Sequence, residues 1–311
     1  MKTQLRLVTY LFLMNYLLSS CFPESEAEKQ RAESDLKISK YLSENNINAQ
    51  ESEFGIYYQH LTSNENGQKP KFGEVLKVKY EISTLEGKVL ESYTTDSTLL
   101  RFDNYSVLPS GFNYGVDIMR KGDRIRCYIP SYLAYNNYAP VDQFGPDTNF
   151  ILDIELVDIT TEDEVYKNHI DEIEKYIDTE GLGEILPSFS GLYFISLEDG
   201  NGEEAKTYHT ATLHYKRKYL DGTLIQETEA NKPLTVALNT NQLVEGFREG
   251  ILKMKEGQKA LLIMPSKIAF GSSIKVVPST IRKELWEDGY IGSLVDAYRI
   301  VQYEVELLEL K

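Results

Sequence analysis

The chain has 311 residues, with 33 basic and 48 acidic side chains and a formal net charge of −15. That length accommodates two ordinary domains with separate cores. The charge excludes the basic stripe that a phosphate backbone requires, so no nucleic-acid partner is expected, and it removes electrostatic docking onto anionic lipid.

The first element is a processing signal. Lys2 and Arg6 make a basic start, and Leu7 to Leu18 an apolar run of about a dozen residues, short of the roughly 20 that span a bilayer. Leu18-Ser19-Ser20-Cys21 resembles the lipobox of bacterial lipoproteins, where cleavage leaves a lipidated cysteine. Residues 1–20 are therefore read as signal peptide, and Cys21 as a lipid anchor worth about 0.8 kcal/mol per buried CH₂. With Cys21 so used, Cys127 is the remaining thiol. It sits in the alternating stretch RIRCYIP, reads as a small buried side chain, and leaves no disulfide possible. The four histidines, His60, His169, His209 and His214, show no ligand spacing, and no metal or cofactor is expected.

Residues 21–50 follow as a lipidated N-terminus and helical linker. Ser25 and Glu28 fit a capping box, and Leu36, Ile38, Tyr41 and Leu42 give an apolar face. A second such helix opens at Thr161 and Glu164, with Tyr166, Ile170, Ile173 and Ile177 on one side, inside a linker assigned to 161–188. A spacer, a brace against a domain and a dimer contact are all compatible with these helices. Between and after them the sequence reads as strands: VLKVKYEIS, KVLESY, DRIRCYIP and FILDIELVDI, then TATLHYKRKYL, TLIQET, QKALLIMP and IVQYEVELLEL. One short helix interrupts each set. In the second it is LVEGFREGILKMKEG, with Leu243, Phe247, Ile251 and Met254 in a stripe. Gly246 and Gly250 each cost that helix about 1 kcal/mol against alanine, a loss that close backbone approach to a neighbour would offset.

That helix has a twin 135 residues upstream: Gly111, Phe112, Gly115, Met119 and Gly122 match Gly246, Phe247, Gly250, Met254 and Gly257. The offset also pairs Tyr80 with Tyr215 and Pro130 with Pro265, and grows to 151 by Ile154-Glu155-Leu156 and Val305-Glu306-Leu307. The chain is a tandem duplication, with 51–160 and 189–311 as its copies and an insertion at 272–298 in the second. Each copy reads as an α+β module, a curved antiparallel sheet around a short helix. In the first, STLLRFDNYSV requires a one-residue register slip that turns Leu100 and Phe102 inward in place of Arg101.

The second copy resembles an FKBP-type peptidyl-prolyl cis-trans isomerase domain. The matching features are Tyr-x-x-x-x-x-Asp-Gly, Leu-Val-x-Gly-Phe-x-x-Gly, Met-x-x-Gly-x-Lys, Pro-x-x-x-Ala-Phe-Gly and the closing Val-Glu-Leu-Leu. The first copy matches more weakly, and the doubled arrangement is similar to isomerase-like lipoproteins linked to gliding motility and envelope folding. The resemblance implies two tandem FKBP-like domains and a reaction that needs neither nucleophile nor metal. An amide resists twisting by about 18–20 kcal/mol, and a dry cup that prefers the twisted, less polar imide lowers that barrier.

By the same resemblance, Phe112 and Phe247 form the cup floors, which as plain residues would read as core aromatics. Tyr80, Leu90, Glu91, Leu108, Tyr135 and Leu152 surround the first floor. Tyr215, Ile225, Gln226, Leu234, Leu243, Val244, Phe270 and Tyr303 surround the second. Glu91 and Gln226 stand where the family has aspartate, and Phe270 lacks the tyrosine hydroxyl that Tyr135 keeps. The insertion enlarges the loop that in the family overhangs its own cup, and is expected to recognise partners. The functions implied are prolyl isomerisation of envelope proteins, or a non-catalytic grip on unfolded or proline-containing client segments. Since no aspartate follows Cys21, the outer membrane is the expected location.

Overall fold

A computed structural model describes residues 25–140 and 142–311; the signal peptide and Cys21 fall outside them. Among the described residues no helix is long and apolar enough to cross a membrane. Helix α1 (Glu26–Glu44) starts with the expected box: the Ser25 hydroxyl accepts from Glu28 N–H, and the Glu28 carboxylate accepts from Ser25 N–H at 2.7 Å. Strands β1 (Gln50–Glu51), β2 (Tyr57–Thr62), β3 (Val75–Thr84), β4 (Val89–Arg101), β6 (Arg124–Ile129) and β7 (Phe150–Thr160) form one sheet in the order β1-β2-β6-β7-β3-β4. All of its pairings are antiparallel. The two-residue β5 (Val107–Leu108) precedes helix α2 (Ser110–Asp117).

The second half repeats this plan. Helix α3 (Glu162–Thr179) carries its own capping box, from Thr161 and Glu164. Strands β8 (Tyr193–Glu198), β9 (Thr210–Lys218), β10 (Leu224–Glu227), β11 (Leu234–Ala237), β12 (Lys259–Met264) and β14 (Val301–Leu310) run in the order β10-β9-β14-β12-β8, with β11 also on β9. Helix α4 (Glu245–Leu252) is the counterpart of α2. Where the first copy has one continuous β4, the second has β10 and β11, separated by a segment containing Asn231-Lys232-Pro233. Proline offers no ladder donor, whereas the first copy keeps strand-favouring threonines there. The register slip also holds: Leu100 is buried opposite Leu76, and Arg101 is only partly covered.

The helix glycines mark close approach. A Cβ on Gly115 would lie 3.0 Å from Cys127 Sγ, and one on Gly246 2.8 Å from Met264 Sδ. At Gly250 it would run into Leu262, with Cγ at 3.0 Å. Replacing Gly250 with alanine is expected to lower stability by up to about 2 kcal/mol in urea unfolding, because overpacking costs more than the helix-propensity gain. A stabilised variant would show that Leu262 has room to move.

Both amphipathic helices are braces. Ile38 and Leu42 of α1 pack on Tyr128 and Ile151, on the side of the first sheet away from α2. Leu36, expected on that apolar face, is 69% exposed. In its place Ser34 turns inward, its hydroxyl accepting from Ser131 N–H at 2.9 Å and donating to Asn149 Oδ1. Ile173 and Ile177 of α3 cover Tyr193 and Ile263 of the second sheet, while Val165 joins Val75 of the first sheet and Tyr298.

The insertion carries the unexpected element. Strand β13 (Lys275–Val276) pairs in parallel with β5, Lys275 opposite Val107 and Val276 opposite Leu108. Helix α5 (Arg282–Glu287) follows. The loop leaves its own domain and packs into the first one, which corrects the expectation that it overhangs the second cup.

Candidate active site

The first cup is floored by α2, which Gly111 and Gly115 let settle onto β6 and β7. Tyr80, Phe112, Tyr135 and Leu152 fall into one buried cluster, with Leu90 and Leu108 half-buried against it. The Tyr80 ring meets Phe112 edge-on, with centroids 5.5 Å apart. Glu91 reaches this group through Tyr80, whose hydroxyl donates to Glu91 Oε1 at 3.0 Å. Burial, with the Glu91 carboxylate adding to it, raises the Tyr80 pKa. Burial raises that of Tyr135 as well, so both phenols stay protonated donors at neutral pH.

Phe112 is 0% exposed, its ring covered by neighbouring atoms among the described residues. The space expected for a client is filled by the insertion. Val276, Val277, Ile281, Leu285 and Ile291 belong to the same buried cluster as Tyr80 and Phe112, and Pro278 is buried too. The Tyr135 hydroxyl donates to the Val277 carbonyl at 2.8 Å. One residue beyond the proline, Ser279 N–H donates to Glu91 Oε2. Val277 N–H adds a bond to the Leu108 carbonyl at 2.8 Å, and Lys275 N–H one to Ser106 at 2.7 Å. The Val277–Pro278 bond, like Leu108–Pro109, is cis.

In the second cup Phe247 stacks on Tyr303 at 4.3 Å, and Tyr215 meets Phe247 edge-on at 5.7 Å. Ile225, Leu234, Leu243, Val244 and Phe270 are half-buried around them, and the Tyr215 hydroxyl donates to Gln226 Oε1 at 3.1 Å. Phe247 is 3% exposed, so this ring is covered as well. Beside it lies Arg217, its guanidinium 4.7 Å from the Phe270 centroid, donating to Tyr303 Oη at 3.3 Å and to Gln226 Oε1. Its Nε has no partner. Burial raises the Tyr303 phenol to about 12, with the Arg217 cation opposing the shift. A recess of about 690 Å³ among His214, Lys216, Glu227 and Glu304 touches only Tyr215 of the expected site residues.

Each expected set of side chains thus converges within its own copy. Sequence reasoning missed Arg217, although alternation along HYKRKYL places it on the face of Tyr215, two residues away. It also missed Val277, Pro278 and Ser279, which carry no local signal for the first cup.

The model for the family "FKBP-type peptidyl-prolyl cis-trans isomerase" matches residues 66–157 and 201–308. A probable FKBP-type peptidyl-prolyl cis-trans isomerase FkpA of Neisseria meningitidis serogroup B is 28% identical over 136 residues, covering 44% of this chain and 48% of that protein. The chain therefore spans about half the length of that relative. An FK506-binding protein of the same organism is 29% identical over 121 residues, 39% of this chain and 96% of its own. Among solved structures, the three FKBP domains of wheat FKBP73 align at a TM-score of 0.33 and 19% identity, over 85% of this chain and 99% of that one. With the family pattern matched in both halves, the chain belongs to the FKBP-type peptidyl-prolyl cis-trans isomerase family.

Proposed function

We propose that the chain is a prolyl isomerase whose first cup does the chemistry, held to the cell envelope by lipid on Cys21 and acting on proline-containing or unfolded envelope proteins. One observation carries the isomerase reading: the first cup grips an Xaa–Pro amide, with the Tyr135 hydroxyl on the carbonyl of Val277 and an aromatic floor beneath. Uncatalysed prolyl bonds exchange over tens to hundreds of seconds. A water-free cup disfavours the polar planar amide relative to the twisted one, and the phenol fixes the position of the carbonyl. The anchor rests on the short apolar run ending at Leu18-Ser19-Ser20-Cys21, and the outer-membrane location on the absence of an aspartate after it.

The second cup favours another role. It has Phe270 in place of a hydroxyl donor and a buried cation, Arg217, beside its floor. This copy reads as the carrier of the insertion and a grip on client segments rather than a second catalytic centre.

Tyr135→Phe keeps the ring and removes the donor. In a coupled assay on a proline tetrapeptide, the full chain is expected to accelerate exchange, and this variant to lose about tenfold, the worth of one hydrogen bond near 1.4 kcal/mol. Phe270→Tyr is expected to leave the rate within about twofold. No acceleration by the full chain, even with the insertion displaced, would refute the isomerase reading and leave the gripping role.

A further inference from the structure

The insertion treats the first cup as a peptide-binding site. β13 lies along β5 as an added strand, the mode by which extended peptides dock on a free strand edge. The backbone groups flanking Pro278 are held by two polar side chains of the cup: the carbonyl before it by Tyr135, the N–H after it by Glu91. Two valines precede the proline, both buried, and a serine follows. The segment is not needed to close its own sheet, since the first copy makes the same connection from β6 to β7 with a shorter loop. It is nevertheless built to keep its shape. Asp296 takes Lys275 Nζ at 2.5 Å and an Arg282 Nη at 2.8 Å, and Arg282 also donates to the Ser293 and Val295 carbonyls at 3.0 and 3.1 Å.

We infer that residues 275–281 are a tethered ligand that occludes the first cup, and that clients compete with them for it. The ligand class follows from the contacts. It is an extended peptide with branched apolar residues before a proline and a free backbone N–H after it. Glu91, half-buried, accepts that N–H, so a second proline at the next position removes the donor and leaves this carboxylate oxygen without its partner. Because the tether occupies the site most of the time, a free peptide meets only the fraction of open chains, and its apparent affinity falls by that fraction. This inference rests on the first cup being the site of the proposed function, but it concerns binding and is read without turnover.

The probe is a fluorescent heptapeptide with the sequence of residues 275–281, Lys-Val-Val-Pro-Ser-Thr-Ile, and a control in which proline replaces its serine. Binding to the full chain is followed by anisotropy. The double variant Val276→Asp, Val277→Asp, which expels the tether and leaves the cup untouched, is expected to bind the probe at least tenfold more tightly than the unmodified chain. The control is expected to bind at least tenfold more weakly than the probe. A folded double variant with no gain in affinity, or equal binding of the two peptides, would overturn the inference. Should the double variant not fold, hydrogen exchange on the unmodified chain decides: excess probe is expected to speed exchange at the Val277 and Ser279 amides, and unchanged protection counts against it. Binding without catalysis would cost the chain its isomerase reading and keep the tether. Equal catalysis by the unmodified chain and the double variant would do the reverse.

Discussion

Asp296→Ala is expected to lower the unfolding free energy by about 3–5 kcal/mol, the usual loss when one partner of a buried ion pair is removed. Among the described residues Asp296 is the single carboxylate in ion-pair contact with two buried cations: Lys275 is 1% exposed, Arg282 is 7% exposed, and both reach it at 2.5–2.8 Å. Neither cation can turn to water without pulling the insertion apart. Lys275 also donates to Thr98 at 3.0 Å and lies over the Tyr93 ring, so its charge is fixed where the insertion meets β4. Arg282 already has one unpartnered nitrogen, Nε, and so no spare acceptor to absorb the loss. Replacing all three by apolar residues of similar volume (Lys275→Met, Arg282→Met, Asp296→Leu) removes the charges together and is expected to recover most of the stability. Urea unfolding of the three proteins checks this. A loss below about 1 kcal/mol for Asp296→Ala would mean that water reaches the cations.

Acid is expected to destabilise the chain through His169 by about 3 kcal/mol between pH 6.5 and pH 4. The imidazole is buried on the inner side of α3, with Nδ1 accepting from Ser266 N–H at 3.3 Å. Burial lowers its pKa from 6.5 to about 4, the Arg299 cation adds to this, and a bond to the Tyr298 backbone opposes it. Protonation would set two donors, Nδ1–H and the Ser266 N–H, against each other. The folded form holds its proton less tightly than the unfolded chain. The contribution is therefore complete above pH 6.5, falls as the unfolded chain takes up protons, and is gone near pH 4. A shift of that size corresponds to about 3 kcal/mol. His169→Gln keeps an acceptor without the titration, so it should lose about 3 kcal/mol less than the unmodified chain between pH 7 and pH 4. Glu172, Asp221 and Arg299 line the same recess and stay in both proteins, so the difference reports the imidazole. Parallel pH profiles would sink this assignment.

Much of the fold is legible in the residues. The 135-residue offset, the two capping boxes, the strand alternation and the paired glycines each rest on interactions between neighbours in sequence or on a periodicity of one element. The helix glycines show how far such reading reaches: a glycine pair in an otherwise good amphipathic helix predicts close packing, and Gly115, Gly246 and Gly250 meet Cys127, Met264 and Leu262. The cup side chains come from the family resemblance, and the duplication repeats some of them, as Tyr80 with Tyr215 and Phe112 with Phe247. Leu36 and Ser34 mark the limit. Hydropathy turns leucine inward, but a serine that satisfies Ser131 N–H and Asn149 from 97 and 115 residues away takes the buried position.

By itself the sequence determined two copies of one module, the apolar stripe and glycines of each short helix, and the existence of an extra loop in the second. Only the tertiary structure decided where that loop goes. Tyr135 and Val277 are 142 residues apart and Glu91 and Ser279 188, and no local pattern distinguishes a valine–proline pair bound for the neighbouring cup from one lying over its own. The choice is made by shape and by unpaired donors and acceptors on two separately folded surfaces, quantities that exist only once both sheets have formed.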